Sequence, residues 1–286
     1  MLQRRVGDTE VSSIGLGGMP MSVRKTNDEA LGVATVHRAL EEGVTFIDTA
    51  DVYTPDDRPL GHNEDLIARA LRSYGSSPAH VLVATKGGMT RDGADWGTDG
   101  RPEAIRQACE GSIRRLGAEA IGLYQHHRPD PEVPYADTMG ALKELLDDGL
   151  IVRAGISNAN VEQIQVAAEI LGEKLVAVQN QFSPTYRGSE PELDVCEEKG
   201  IAFLPWSPLG GMSKAADLGV KFSKFAEVAK KHDVSPQQVA LAWQLAKSPV
   251  IIPIPGASRP ESIADSAKAV HLTLEQNDLD ALDAAS

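Results

Sequence analysis

Four hydrogen-bonding or ionisable side chains stand where apolar, strand-like runs of the chain end: Asp48, Lys86, His127 and Asn158. In a parallel α/β fold the carboxyl ends of all strands open on one face, so these side chains are predicted to meet around one site. Tyr53, five residues after Asp48, falls in the following loop and can join them. An acid, a phenol, an ammonium and an imidazole on one rim form an apparatus for transferring protons.

The elements that would position these residues are eight short apolar runs that alternate with amphipathic, helix-like segments. The runs cover 14–17, 44–48, 81–85, 121–125, 152–156, 175–179, 201–206 and 250–254. Apolar strands separated by helices are typical of a parallel sheet that is buried on both faces. Eight such units without a break in composition favour an α/β fold of the (β/α)8 TIM-barrel type, with residues 1–286 as a single domain. The opening segment 4–11 predicts a short N-terminal β-hairpin that covers the bottom of the barrel.

Local signals predict the ends of three helices. Pro102 suits the first turn of a helix that Gly117 would end. Asn160 and Gln163 have the spacing of a capping box. Ser235 is predicted to begin a third helix in a similar way.

The glycine-rich segment Gly15-Leu16-Gly17-Gly18-Met19-Pro20 nearly spells the dinucleotide-binding fingerprint of Rossmann folds. Pro20 replaces the third glycine of that motif, and no helical pattern opens directly after it, although the fingerprint requires both. We therefore interpret these glycines as allowing the first barrel strand to pass close to a ligand.

Composition excludes some classes of function. The 286 residues carry a formal net charge of −13, which disfavours non-specific binding to nucleic acid or to an anionic membrane. Without a long apolar run or a secretory signal, a cytoplasmic protein is predicted. Cys109 and Cys196 lack metal-ligand spacing and are expected to be reduced packing residues. His126 and His127 would face opposite sides of a strand, so no metal site is predicted, and His126 is expected to be packed with its hydrogen bonds satisfied.

The phenol of Tyr53 requires help from its neighbours to act as an acid. A free tyrosine has a pKa of about 10 and donates its proton poorly near neutrality. Lys86 is predicted to lower this pKa by stabilising the phenolate, and Asp48 to keep Lys86 charged and in place. His127 could orient a carbonyl oxygen. This set fits protonation of a carbonyl oxygen while a hydride, which requires a nicotinamide, arrives at the carbon.

Motifs along almost the whole chain carry a resemblance to one family. They are Asp48-Thr49-Ala50-Asp51-Val52-Tyr53, Ala84-Thr85-Lys86, Leu123-Tyr124-Gln125-His126-His127-Arg128, Gly155-Ile156-Ser157-Asn158, Val178-Gln179-Asn180, Trp206-Ser207-Pro208-Leu209-Gly210 and Ile254-Pro255-Gly256-Ala257-Ser258-Arg259. In this order they resemble the catalytic and cofactor motifs of the aldo-keto reductases, and the chain looks like a bacterial member of that family. The resemblance implies Tyr53 as general acid, Lys86 as the group that lowers its pKa, Asp48 as the partner of Lys86, and His127 as the residue that orients the carbonyl.

The same resemblance implies a binding site for NADP(H), with NAD(H) as the alternative cofactor. Its residues would be Gly18, Met19, Asp48, Ser157, Asn158, Gln179, Trp206, Ser207, Pro208, Leu209, Gly210, Gly256, Ser258, Arg259, Ser262, Asp265 and Ser266. Ser157, Asn158 and Gln179 would hydrogen-bond the carboxamide, and Trp206 would stack on the nicotinamide. Arg259 would bind the adenosine 2′-phosphate. The family often has lysine and arginine where Gly256 and Ser262 stand, which leaves Arg259 as the main cation.

The substrate implied by the resemblance is a small carbonyl compound. Its contacts would come from Met19, Tyr53, Met89, Trp96, His127 and Arg128. Residues 87–100 are interpreted as a glycine-rich loop in which Met89 or Trp96 forms a wall over the substrate, the alternative being an ordinary exposed loop. Arg128 stands where the family has tryptophan, which would make the pocket more polar.

Two other functions fit the same residues. Some relatives are channel-associated regulatory subunits that hold nicotinamide and turn over slowly, and they keep all four catalytic residues. A barrel hydrolase or isomerase could use Asp48 and His127 without nicotinamide. The sequence predicts a monomer or small homo-oligomer and does not name the carbonyl compound.

Overall fold

The predicted apolar runs form one curled parallel sheet in the computed structural model, which describes residues 1–23, 28–75, 80–211 and 223–286. Seven strands are neighbours in the order in which they follow along the chain. They are β3 (Leu16–Gly17), β4 (Phe46–Asp48), β5 (Leu82–Gly87), β8 (Leu123–His126), β9 (Ala154–Ser157), β10 (Leu175–Gln179) and β11 (Ala202–Phe203). The predicted (β/α)8 barrel is confirmed, and the carboxyl ends of its strands open on one rim.

The eighth predicted run, 250–254, closes the barrel without forming a continuous strand. On one side, the Ile252 amide donates to the Phe203 carbonyl. On the other side, the Gly15 amide donates to the carbonyl of Pro253 and the Gly17 amide to that of Pro255. Pro253 and Pro255 have no N–H of their own, so the ladder of hydrogen bonds is interrupted although the two edges of the sheet meet.

Helices follow the strands and cover the outside of the barrel. They are α1 (Glu29–Glu41), α2 (His62–Ser73), α3 (Pro102–Leu116), α4 (Tyr135–Asp147), α5 (Val161–Leu171), α6 (Glu190–Lys199), α7 (Ser223–His232), α8 (Pro236–Lys247), α9 (Pro260–Ala267) and α10 (Gln276–Ala285). The three local predictions are confirmed. Pro102 opens α3 and Gly117 ends it in a left-handed conformation. Asn160 and Gln163 form a complete capping box on α5, and the Ser235 side chain caps α8.

The predicted N-terminal hairpin is β1 (Gln3–Val6) paired with β2 (Thr9–Ser12). Val6 and Val11 are fully buried and belong to the same apolar cluster as Phe46 and Leu82, near the amino ends of the barrel strands. The hairpin therefore plugs the bottom of the barrel with apolar side chains, as predicted.

Arg4 ties this hairpin to the last turns of the barrel wall. Its guanidinium donates hydrogen bonds to the carbonyl oxygens of Leu245, Ser248 and Ile251. Because these acceptors are neutral, nothing offsets the desolvation of the charge, and burial lowers the pKa of Arg4 to about 10.

A second hairpin differs from the prediction of a loop at 87–100. Strands β6 (Met89–Asp92) and β7 (Asp95–Thr98) pair antiparallel on the carboxyl-end rim, and Gly93 turns the chain in a left-handed conformation. Arg91 stacks on the Trp96 ring at 4.5 Å. The sequence pattern did not indicate strands because each strand has a single apolar residue, Met89 or Trp96, so no apolar alternation marks them.

Arg4→Ala is expected to lower the free energy of unfolding by at least about 2 kcal/mol, because it removes the charged donor shared by three carbonyl oxygens. Urea unfolding measures the change. Arg5→Ala is the matched control, since Arg5 is exposed and its side chain hydrogen-bonds, within the part of the chain that the structure describes, only to the Gly7 carbonyl at 3.4 Å. It should change stability by less than about 0.5 kcal/mol. Equal effects of the two substitutions would contradict the anchoring role of Arg4.

Candidate functional site

Lys86 lies at the centre of the site, fully buried at the carboxyl end of β5. Its ammonium donates to Asp48 Oδ2 at 2.7 Å, to the Thr49 carbonyl at 2.8 Å and to Tyr53 Oη at 3.3 Å. An ammonium has three hydrogens and no acceptor, so all three are used and Tyr53 Oη is the acceptor. The hydrogen of the Tyr53 hydroxyl is therefore available to another group.

Asp48 is held in place by residues from two further strands. Gln179 Nε2 donates to Asp48 Oδ1 at 2.8 Å, and Gln125 Nε2 donates to the same oxygen at 3.3 Å. Both carboxylate oxygens are thus occupied, since Oδ2 accepts from Lys86. A buried ion pair is tolerated when its remaining lone pairs find partners, and these two amides supply them.

The imidazole of His127 faces the edge of the Tyr53 ring. The ring centroids are 5.7 Å apart and the planes meet at 82°. Burial, followed by the charge of Lys86, holds the pKa of His127 well below its usual value, so the ring is neutral at neutral pH. Its Nδ1 atom has no hydrogen-bond partner among the described residues. A neutral imidazole keeps one N–H that can orient an oxygen beside Tyr53.

The prediction that Lys86 lowers the pKa of Tyr53 below its usual value is wrong in its net direction. Burial raises the pKa of Tyr53, and the charge of Lys86 offsets only part of that rise. Burial also disfavours the charged form of Lys86, but the interactions with Asp48 and Tyr53 together outweigh this effect and raise the pKa of the ammonium. The resting pair is consequently a neutral phenol beside a charged ammonium, a state in which the phenol can give a proton.

These groups open into a cavity of about 1370 Å³ on the carboxyl-end rim. Of the residues predicted for catalysis, cofactor or substrate, those that line it are Met19, Asp48, Tyr53, Met89, Trp96, His127, Arg128, Ser157, Asn158, Gln179, Trp206, Ser207, Pro208, Leu209, Gly256, Ser258, Arg259, Ser262, Asp265 and Ser266. Lys86 lies behind the wall. The structure therefore brings these predicted groups together around one cavity.

Gly18 and Gly210 are predicted cofactor residues that do not line the cavity, whereas the adjacent Gly17 and Gly211 do. A Cβ atom on Gly18 would lie 2.3 Å from Asn63 Oδ1. One on Gly17 would lie 2.8 Å from the carbonyl of Ile254. Both glycines therefore allow close approach to other parts of the protein, and since Gly17 lines the cavity, the interpretation that the first strand passes close to a ligand stays a prediction.

Two residues of the cavity wall adopt a backbone conformation that favours glycine. Asn158 has φ of 57° and Ser207 has φ of 51°. Such conformations cost free energy and cluster at binding sites, where the surrounding structure imposes them. The Asn158 amide group donates to the His127 carbonyl at 2.9 Å.

Unpaired amide oxygens make the middle of the cavity suitable for a carboxamide. The nitrogen of Gln179 is committed to Asp48 and that of Asn158 to the His127 carbonyl, but no described residue donates to the side-chain oxygen of either. A carboxamide group offers the amide hydrogens that these oxygens lack. Beside them the half-buried Trp206 presents an aromatic surface, and its Nε1 has no partner among the described residues.

The far end of the cavity carries charge of both signs at the amino terminus of α9. Arg259 occupies the cap position of this helix, where amide groups and a guanidinium favour an anion. Asp265, on the same helix, accepts from Ser235 Oγ at 2.7 Å and from Gln238 Nε2 at 2.6 Å. Glu261 also lines this end and was not predicted from the sequence.

A buried acidic pair behind the site was also missed from the sequence. Asp51 and Glu64 are both buried, and Glu64 is satisfied by Thr85 Oγ1 and Arg115 Nε at 2.5 Å each. Asp51 Oδ1 has no hydrogen-bond partner among the described residues. Burial, followed by the charge of Glu64, raises the pKa of Asp51 to about 8, so this carboxyl is protonated at neutral pH. No local pattern distinguishes such an aspartate from a surface one.

Other predictions concern residues outside the cavity. Cys109 and Cys196 are buried free thiols, as expected for packing residues. His126 is packed, but neither of its ring nitrogens has a partner among the described residues, so the expected hydrogen bonds are missing. Burial accordingly lowers its pKa to about 4. Within residues 1–23, 28–75, 80–211 and 223–286, no cluster of metal-ligating side chains and no helix able to span a membrane is found.

The fold is a (β/α)8 barrel, and lysine, tyrosine, aspartate and histidine surround a cavity on its rim. These features together define a class of enzyme. Comparisons with known proteins identify the family. The Aldo/keto reductase family model matches residues 13–286, so the chain belongs to this family of oxidoreductases. Uncharacterized oxidoreductase C215.11c of Schizosaccharomyces pombe is 36% identical over 277 residues, which span 94% of this chain and 85% of that protein.

Solved structures agree with this assignment. The thermostable aldo-keto reductase Tm1743, in complex with the inhibitor epalrestat, superposes with a TM-score of 0.83 at 27% identity and full coverage of both chains. An aldo/keto reductase from Klebsiella pneumoniae, in complex with NADP and acetate, gives a TM-score of 0.82 at 25% identity, covering 99% of this chain and 94% of that one.

Asp51→Asn is expected to remove one source of pH-dependent stability. The native pKa of about 8 exceeds the unfolded value of about 3.9, so the native state alone holds this proton between those values and stability falls as pH rises. Between pH 6 and pH 7, the wild type should lose about 1 kcal/mol of unfolding free energy relative to Asp51→Asn. Urea unfolding at both pH values measures the difference.

The matched control is Asp57→Asn, the same change at an exposed residue six positions further along the chain. This variant should follow the wild type at both pH values. Parallel losses in the wild type and in Asp51→Asn would mean that Asp51 is already ionised in the native protein.

Proposed function

We propose that this protein reduces an aldehyde or a ketone to an alcohol, with NADPH as hydride donor and residues 1–286 as a single domain. The observation that carries the proposal is the hydrogen bond from Lys86 to Tyr53 at 3.3 Å. It makes the phenolic oxygen an acceptor from the ammonium and leaves the phenolic hydrogen for an oxygen in the cavity.

Proton transfer from Tyr53 follows from this arrangement. When bound, the nicotinamide supplies the hydride. As the carbonyl carbon gains the hydride, its oxygen becomes negative and takes the proton of the Tyr53 hydroxyl, which leaves a phenolate. The ammonium of Lys86 stabilises this phenolate, and the paired Asp48 keeps Lys86 charged and in position. Tyr53 regains its proton from solvent.

His127 is proposed to orient the carbonyl group. Its neutral ring adjoins Tyr53, so one N–H can donate to the same oxygen that receives the phenolic proton. A charged imidazolium here would repel Lys86, and the lowered pKa of His127 avoids that repulsion. The two groups thus define where a reacting oxygen would sit.

The cavity walls suggest how the cofactor would be held. Trp206 would support the nicotinamide ring, while Asn158 and Gln179 would accept from its carboxamide. Ser207, at its left-handed backbone position, begins a turn in which the Gly210 amide donates to the Ser207 carbonyl at 2.9 Å, and this turn would follow the pyrophosphate. Arg259 would bind the 2′-phosphate, which favours NADPH. The NADP bound to the Klebsiella pneumoniae relative supports this preference.

Location and assembly stay predictions. We retain a cytoplasmic monomer or small homo-oligomer that acts on a small carbonyl compound and binds neither nucleic acid nor membrane.

Tyr53→Phe is expected to lower the rate of aldehyde reduction by at least about a hundredfold, because the general acid is lost. The affinity for NADPH should stay close to that of the wild type. Consumption of NADPH over many turnovers with excess aldehyde measures the rate, and fluorescence titration measures binding. Tyr135→Phe is the matched control, since its buried hydroxyl has no partner among the described residues and lies outside the cavity wall.

Three outcomes of this experiment would contradict the proposal. Normal turnover by Tyr53→Phe would remove Tyr53 from its role as general acid. Tight NADPH binding by the wild type without multiple turnovers would favour the catalytically slow regulatory subunit. Conversion of substrate without any nicotinamide would favour a hydrolase or isomerase.

Arg259→Gln is expected to lower the ratio of kcat/KM for NADPH to that for NADH by about tenfold, the size of one charge-assisted hydrogen bond to the 2′-phosphate. Steady-state kinetics with both cofactors measures the ratio. Lys268→Gln, which removes a positive charge at the opposite end of the same helix, should leave the ratio at its wild-type value. An unchanged ratio in Arg259→Gln would show that another group selects the cofactor.

A further inference from the structure

Arg128 is a cation in the wall of the cavity that has no partner among the described residues. It directly follows His127, is exposed and lines the same cavity as Tyr53. It forms no hydrogen bond or ion pair with any described residue. A guanidinium carries five donors, so an unpaired one beside a reacting centre can bind an anionic group.

Two other arginines of this rim, Arg91 and Arg101, are satisfied by the protein itself. Arg91 donates to the carbonyls of Val52 and Thr54, pairs with Asp56, and stacks on Trp96. On the same rim, Arg101 forms two hydrogen bonds with a single carboxylate, that of Asp99. Arg128 therefore differs from both in having its charge available to a ligand.

The charges around Tyr53 leave an excess of one positive charge at this end of the cavity. Lys86 is neutralised by Asp48, and His127 is uncharged because its pKa is held well below its usual value. Other carboxylates of the described cavity wall, Glu261 and Asp265, belong to helix α9 at the far end. Among the described residues of the wall, Arg128 is thus the unbalanced charge at the reacting end, although the protein carries a net charge of −13.

We propose that Arg128 selects carbonyl substrates that carry a carboxylate, an inference that rests on the proposed reductase function. A single guanidinium matches a single carboxylate, with which it can form two parallel hydrogen bonds. Met89 and Trp96 line the same end of the cavity, and Trp96 is 41% exposed. They provide an apolar wall for the body of the substrate. The substrate class is therefore an aldehyde or ketone with an apolar body and a terminal carboxylate.

The test compares 4-carboxybenzaldehyde with 4-methylbenzaldehyde, which has similar size and no charge. With NADPH at neutral pH, the wild type should prefer the carboxylate compound in kcat/KM by about tenfold, as one charge-assisted hydrogen bond allows. Arg128→Gln should lose most of this preference through a higher KM for the carboxylate compound. Arg128→Lys retains the positive charge but loses the paired donors of the guanidinium, so it should keep part of this preference. Added salt should weaken the preference in the wild type.

Arg101→Gln is the matched control, because it removes the same charge from the same rim at a residue outside the cavity wall. It should retain the wild-type preference. An equal preference in the wild type and in Arg128→Gln would overturn the inference while the reductase function stands. Failure of the wild type to oxidise NADPH with either aldehyde would overturn the proposed function itself.

A further comparison distinguishes recognition of a carboxylate from recognition of a phosphate. Glyceraldehyde 3-phosphate and glyceraldehyde are compared in the wild type and in Arg128→Gln. An Arg128-dependent preference that occurs only for the phosphate compound would overturn the assignment of a carboxylate.

Discussion

The ammonium of Lys86 is the group on which the geometry of the site depends. Removing this charge from water is costly, and the protein compensates by giving each of its three hydrogens an acceptor: Asp48, the Thr49 carbonyl and Tyr53. Because an ammonium can only donate, the direction of each bond is fixed. The Tyr53 oxygen must therefore accept from Lys86, and the need to compensate the buried ammonium sets the orientation of the Tyr53 hydroxyl.

The barrel makes this arrangement possible because it brings distant parts of the chain to one rim. Asp48 is held by amides from Gln125 and Gln179, which lie on strands far apart in the sequence. The wall closes where Gly17 allows the first strand to approach Ile254 and Gly256 closely. A side chain at Gly17 would push the two edges apart, so closure of the barrel and integrity of the site depend on the same backbone contacts.

The cavity is electrically different at its two ends. Around Tyr53 the ion pair of Lys86 and Asp48 is internally neutral, so a single exposed guanidinium can determine which charge a substrate carries. At helix α9, Arg259 lies beside carboxylates, and one of these, Asp265, is fixed by hydrogen bonds from Ser235 and Gln238. Because these negative charges offset the positive charge of Arg259, they limit how strongly the cavity can favour a phosphate over a hydroxyl at the adenosine end.

The amino-acid sequence by itself determined the order of the barrel strands and helices and the positions of the site residues along the chain. The alternation of apolar runs with helical segments was sufficient to predict the barrel. The positions of Asp48, Lys86 and His127 at strand ends were sufficient to predict that they meet on one rim. Helix boundaries such as the Asn160 cap were predictable because capping involves residues only three positions apart. The hairpin at 89–98 was not predictable, since its mostly polar residues give no periodic pattern of apolar positions.

Only the tertiary structure decided the protonation states and the hydrogen-bond directions. The net rise in the pKa of Tyr53 and the protonated state of Asp51 result from desolvation, which is imposed by segments far away in the sequence. Whether Arg128 is paired likewise depends on where other carboxylates come to lie. Local sequence specifies which groups a position carries, whereas burial and distant neighbours set their charge and their partners.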